Sequence, residues 1–161
     1  MPAFDRRALL CVALLLPPAL PALAEEPPAQ QAAPQPDKLE VIDHVIGTGQ
    51  EVRVGAFVVA HYAGYVFDPD APDHKGRKFV SSRDRGETLT YVYGYKRAVP
   101  GFERGIKGMK VGGTRTIIVP WKLGYDDLKY QRPDDLPPKS ALVFEVELLD
   151  VVPQGAPPDP R

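Results

Sequence analysis

The sequence predicts an α+β domain, one antiparallel β-sheet whose apolar face is covered by a single short α-helix. Three observations carry this. Runs that alternate apolar and polar residues, the mark of half-buried strands, recur through the middle of the chain. Only one segment shows the i, i+4, i+7 apolar spacing of a helix. Most of the 19 prolines lie outside that region, in the first 37 residues and the last nine.

Taken in order, Leu39 to Ile46 reads as a strand running into the turn Gly47-Thr48-Gly49. Ala56 to Val66 alternates, with Val58, Ala60 and Tyr62 on one face and Phe57, Val59 and His61 on the other. Leu89 to Tyr93 is short and β-rich, with Leu89, Tyr91 and Tyr93 on one side. Thr114 to Val119 is β-branched except at Arg115, and Pro120 stops it. Ala141 to Val151 sets Leu142, Phe144, Val146 and Leu148 against Glu145 and Glu147. The helix belongs between the third and fourth of these strands. Pro100 suits its first turn, Phe102, Ile106 and Met109 share one face, and Gly112-Gly113 is the expected end.

Phe102 enters at the first turn of that helix, where an aromatic ring can floor a pocket. Tyr62, Phe79, Tyr125 and Phe144 sit on segments able to wall it. A dry aromatic hollow with little acid–base machinery suits a process that makes and breaks no covalent bond.

The 161 residues carry a net charge of −1, which gives no reason to expect nucleic acid or an anionic membrane as partner. The N-terminus reads as an export address. Arg6 and Arg7 precede an apolar run, Ala8 to Leu20, and Ala22-Leu23-Ala24 offers a cleavage site ahead of Glu25. FDRRALLC is a partial match to the twin-arginine route. Cleavage removes Cys11, the only cysteine, so the mature chain has neither disulfide nor thiol chemistry, and no membrane insertion is expected of it. Residues 25–37 read as a Pro/Ala/Gln-rich tether, 38–152 as one domain, and 153–161 as a Pro-rich disordered tail. The expected location is the periplasm or the exterior.

No metal or cofactor is expected. Asp68, Asp70 and Asp73 stand near His74, but Pro69 and Pro72 break the spacing of a calcium loop. His44, His61 and His74 are scattered, and no Gly-x-Ser-x-Gly or Gly-rich phosphate loop occurs. Arg83, Asp84 and Arg85 read as a solvated turn with an internal ion pair.

Six pieces in order resemble the FKBP-type peptidyl-prolyl cis-trans isomerases. They are VVAHYAGYV (58–66), KFVSSRDRG (78–86), YVYG (91–94), VPGFERGIKGMKVGGTR (99–115), LGY (123–125) and LPPKSALVFEVELLDV (136–151). The resemblance implies a half-wrapped antiparallel sheet around one short helix, with a proline pocket between them. It implies that this pocket isomerises X-Pro bonds in exported, unfolded or proline-containing polypeptides. Phe102 matches the floor aromatic. Tyr62, Phe79, Val99, Leu136 and Phe144 match wall positions. Tyr125 matches a hydroxyl donor to a substrate carbonyl, and the Val99 N–H a second donor. Val80 and Tyr91, with Leu136, are expected on the substrate-binding surface. There are departures. Val80 stands where the family has an acidic residue, which argues against macrolide binding, and Asp126 replaces a glycine. The stretch from Phe67 to Arg77 is longer than in the compact form, and that from Lys129 to Asp135 is altered. These changes keep open an alternative role as a low-turnover peptide-binding chaperone or docking module.

Overall fold

The computed structural model describes residues 34–126 and 130–153. The expected signal peptide, most of the tether and nearly all of the tail lie outside these residues, as does Lys129. Gln35, expected in the tether, is held against the domain, its side-chain oxygen accepting the Ala141 N–H at 3.2 Å.

Six strands form one antiparallel sheet, the five expected from the sequence and one more. They are β1 (Glu40–Val45), β2 (Phe57–Phe67), β3 (Lys75–Ser81), β4 (Leu89–Val92), β5 (Thr114–Val119) and β6 (Leu142–Val152). The order is β1-β5-β6-β2-β3, and β4 also pairs with β2. β2 therefore serves two partners along one edge. Its first part, Phe57 to Ala60, pairs with β4, and Ala63 to Phe67 pairs with β3. Between them the ladder is interrupted, and Ser82 takes over at Tyr62. The Ser82 N–H donates to the Tyr62 carbonyl at 2.9 Å, and the Tyr62 N–H donates to Ser82 Oγ at 2.9 Å.

β3 has no counterpart among the expected strands. It begins inside the segment read as a long loop. Only Phe79 and Val80 are large and apolar in KGRKFVS, and two irregularities in its pairing with β2 destroy any simple period.

The only α-helix among the described residues, α1, spans Pro100–Gly105 and ends well short of the expected Gly112. Gly108 takes φ +71°, a left-handed turn conformation that glycine adopts without steric cost, and the chain reverses there. The next residues bond outward instead of back along a helix. The Val52 N–H donates to the Met109 carbonyl at 2.8 Å, and the Val111 N–H to the Gln50 carbonyl at 2.9 Å. Phe102, Ile106 and Met109 are nonetheless all buried. A helix followed by a tight turn presents the same three residues inward that a longer helix would.

α1 lies close against β5 because it carries glycines one turn apart on the packed face. A Cβ at Gly101 would stand 2.2 Å from Val119 Cγ1, and one at Gly105 would stand 2.4 Å from Ile117 Cγ2. Ile117 and Val119 join Phe102, Ile106, Leu142, Phe144 and Leu148 in the core.

Tyr91 belongs to that core at 8% exposure, and its buried hydroxyl has no hydrogen-bond partner among the described residues. Burial drives its pKa far above the ordinary tyrosine value. A buried unpaired hydroxyl costs about 1–3 kcal/mol. Tyr91→Phe is therefore expected to leave stability unchanged or raise it by about 1 kcal/mol. Urea denaturation decides this; a drop in midpoint would mean that the hydroxyl has a partner in solution.

Candidate active site

The inward face of β6 places Phe144 opposite Gly64 of β2. Gly64 is required there by space, since a Cβ would lie 2.7 Å from Val80 Cγ1, 2.8 Å from Phe79 Cζ and 3.0 Å from Phe144 Cε1. The room it leaves is filled by rings. Phe102 meets Phe144 edge-on with centroids 5.3 Å apart, and Tyr62 meets Phe102 at 6.0 Å. Phe144 meets Phe79 at 6.1 Å, and Phe79 meets Tyr125 at 6.2 Å, again edge-on. Each such contact is worth about 0.5–1.5 kcal/mol beyond the area it buries, so the five rings hold one another in place.

Between α1 and the sheet this cluster opens into a cleft of about 210 Å³. Tyr62, Val99, Phe102, Tyr125 and Phe144 line it, as expected. Phe79 packs behind the lining, between Tyr125 and Phe144. Three expected residues do not reach the cleft. Tyr91 turns into the core. Val80 is half-buried beside Gly64. Leu136 is buried against a separate small hollow next to Trp121 and Lys139. Leu89, Arg97, Ala98, Tyr130 and Gln131 complete the cleft and were not foreseen. Leu89 was legible, since it alternates onto the inward side of its strand.

Val99 precedes Pro100, which disfavours a helical backbone at Val99, and it adopts φ −58°, ψ 145°. Its carbonyl accepts the Glu103 N–H at 3.1 Å. Its own N–H has no acceptor among the described residues and sits at the edge of the cleft. Glu103 fixes the approach to this point, its Oε1 accepting the Arg97 N–H at 2.9 Å and the Ala98 N–H at 3.5 Å.

Tyr125 follows a 3-10 turn at Trp121–Leu123 and the buried Gly124. Burial pushes its pKa up to about 12, with Tyr62 adding and Arg85 opposing. The hydroxyl thus stays protonated and able to donate well beyond neutral pH. A folded pKa above the unfolded value stabilises the fold at pH below 10 and loses that contribution as pH rises through about 12. Tyr125→Phe is expected to flatten this part of the alkaline stability curve, measured by urea midpoint against pH. An unchanged curve would place the titration elsewhere.

The 82–88 turn is arranged differently from expectation. Arg83 pairs with Glu147 across the sheet, Asp84 with Lys78, and Arg85 donates to the Tyr62 hydroxyl at 2.9 Å. No ion pair joins these neighbours to each other; Asp84 reaches back to Lys78, while Arg83 and Arg85 find partners farther away in sequence. Beneath them, the Ser82 hydroxyl accepts from the Tyr62 N–H and shares a second hydrogen bond with His61 Nδ1 at 3.0 Å. At 1% exposure Ser82 is a structural clamp, closed to any substrate.

A larger groove, about 650 Å³, crosses the outer face of the sheet. Its walls include charged pairs such as Lys75–Glu145 and Arg83–Glu147, which satisfy each other, and it lacks the cluster of packed rings that lines the cleft. The aromatic cleft is the better site for a small apolar ring.

The sheet half-wrapped on a short helix, with an aromatic-lined cleft between them, is the α+β arrangement that the sequence predicts. A sequence model of the FKBP-type peptidyl-prolyl cis-trans isomerase family matches residues 49–149. The FK506-binding protein of Neisseria meningitidis serogroup B is 36% identical over 105 residues, 65% of this chain and 88% of that protein. Human peptidyl-prolyl cis-trans isomerase FKBP10 is 40% identical over 102 residues, 63% of this chain and 16% of that protein. Among solved structures, FkpA from Escherichia coli superposes with TM-score 0.59 at 33% identity, over 71% of this chain and 48% of that one. AtFKBP13 superposes with TM-score 0.58 at 31% identity, over 72% of this chain and 94% of that one. The chain belongs to the FKBP-type peptidyl-prolyl cis-trans isomerase family, and it is an enzyme of that type.

Proposed function

We propose that this isomerase acts on exported polypeptides, turning X-Pro bonds by binding the twisted amide in the aromatic cleft. The observation that supports it is the lining itself: rings on the floor and walls, with no carboxylate or imidazole among the described residues. The barrier to rotation is about 18–20 kcal/mol because twisting destroys amide resonance. A twisted amide has a less polar carbonyl and loses less by leaving water, so a dry surface favours it over the planar form. In this reading Phe102 floors the pyrrolidine ring while Tyr62 and Phe144 flank it. Tyr125 Oη–H and the Val99 N–H donate to the carbonyls on either side, leaving one bond free to turn. A preference of about 5 kcal/mol for the twisted form corresponds to roughly 10³–10⁴-fold acceleration.

The N-terminal basic, apolar and small-residue pattern supports export to the periplasm or beyond. The macrolide for which the Neisseria relatives are named is proposed to bind poorly. Val80 removes the carboxylate that the resemblance places there, and the Tyr62 hydroxyl takes its bond from Arg85 instead.

A protease-free exchange assay on an X-Pro tetrapeptide tests the reading, with acceleration by the wild-type protein at micromolar concentration the expected result. Absent acceleration, together with suppressed aggregation of a proline-free client, would replace it with the chaperone role.

A further inference from the structure

Every basic residue on β3 and β5 has a carboxylate partner. Lys75 pairs with Glu145 and Asp73, Arg77 with Asp135, Lys78 with Asp84, and Arg115 with Asp43. Arg97, which lines the cleft, and Arg85, which sits over the ring of its wall residue Tyr62, do not. Arg85 lies 5.9 Å over the Tyr62 ring and donates to its hydroxyl, with no carboxylate partner among the described residues. Arg97 lines the cleft beside Ala98 and Val99 and likewise has no ion-pair partner there. The carboxylate of α1, Glu103, is already engaged by the backbone N–H groups of Arg97 and Ala98. Asp126, adjacent to Tyr125, lines a different hollow with Arg132 and Lys139.

The cleft, about 210 Å³, is open to solvent and has room for a pyrrolidine ring, and the residues beside a bound proline would extend toward its mouth, where Arg97 lies. There they come within reach of two exposed guanidinium groups, whose pull on an acidic side chain is strongest at low salt. We infer that Arg85 and Arg97 are specificity determinants, and that the cleft selects X-Pro segments carrying Asp or Glu next to the proline. This rests on the isomerase reading of the cleft and adds the class of substrate to it.

The test uses tetrapeptides identical except for Glu, Gln or Lys before the proline, with a further Glu/Gln pair after it. At low salt, kcat/KM for a Glu peptide is expected to exceed that for its Gln counterpart by about three- to tenfold, with Lys below Gln, and the ratio to shrink as salt rises. Arg85→Gln and Arg97→Gln should each lower the Glu/Gln ratio, and the double variant should bring it to one. Lys110→Gln removes an equal charge outside the cleft and should leave the ratio intact. A wild-type ratio of one, or a ratio that survives in the double variant, overturns the inference. Amide chemical-shift titrations with the same peptides give the affinity ratio independently of turnover. If no peptide is isomerised, the catalytic reading fails while these titrations still decide the charge preference.

Discussion

Phe102→Ala is expected to lower kcat/KM on an X-Pro peptide by about a hundredfold, roughly 2.7 kcal/mol of lost transition-state stabilisation. The ring is 3% exposed, touches Phe144 and Tyr62 edge-on, and is the floor on which the twisted bond would rest. Truncating it also opens a cavity and costs about 3–5 kcal/mol of stability. Activity must therefore be measured well below the variant's Tm, beside Phe102→Leu, which restores much of the volume without a ring. A loss confined to kcat/KM in a folded Phe102→Leu protein would show that the flat aromatic surface matters. If folded Phe102→Ala kept activity within about threefold of wild type, well short of the 2.7 kcal/mol expected, the floor would be elsewhere.

The second large effect concerns stability alone. Gly101→Ala and Gly105→Ala each place a methyl group where Val119 or Ile117 already stands, at 2.2 and 2.4 Å. Overpacking of this kind costs about 1–3 kcal/mol. Because 1 kcal/mol moves Tm by about 3–5 °C in a domain somewhat longer than 100 residues, overpacking by itself should lower each melting point by about 3–15 °C. Helix propensity opposes this, since alanine is favoured over glycine by about 1 kcal/mol in a helix interior. A raised Tm in either variant would therefore mean that propensity outweighs packing and that α1 can lift from β5 at little cost.

The sheet was legible because β2 and β6 keep a period of two in the sequence, and because β5, buried over its last four residues, is a β-branched run ended by a proline. The same reasoning located Tyr62, Phe102 and Phe144, since each falls on the inward parity of a clear element. It missed β3, which carries little apolar surface and pairs irregularly. It overextended α1, because Ile106 and Met109 keep helical spacing while the backbone turns at Gly108. Parity also misplaced Tyr91: inward on a strand is a direction, and distance from the opening decides between core and cleft. Arg97 and Arg85 left no local signal, because their significance lies in partners they lack. The Arg83-Asp84-Arg85 pairing was misjudged for a related reason, since neighbours in a tight turn point apart while residues about 60 positions away come within reach.

The fork in β2 bears on what this enzyme can admit. Tyr62 stands at the point where the strand leaves one neighbour for another, and both of its backbone groups are fastened to Ser82. Moving Tyr62 outward at that point means breaking both of its bonds to Ser82, one to the main chain and one to the hydroxyl. The aperture is therefore expected to keep its width, so that a bulky guest adapts to it and not the reverse.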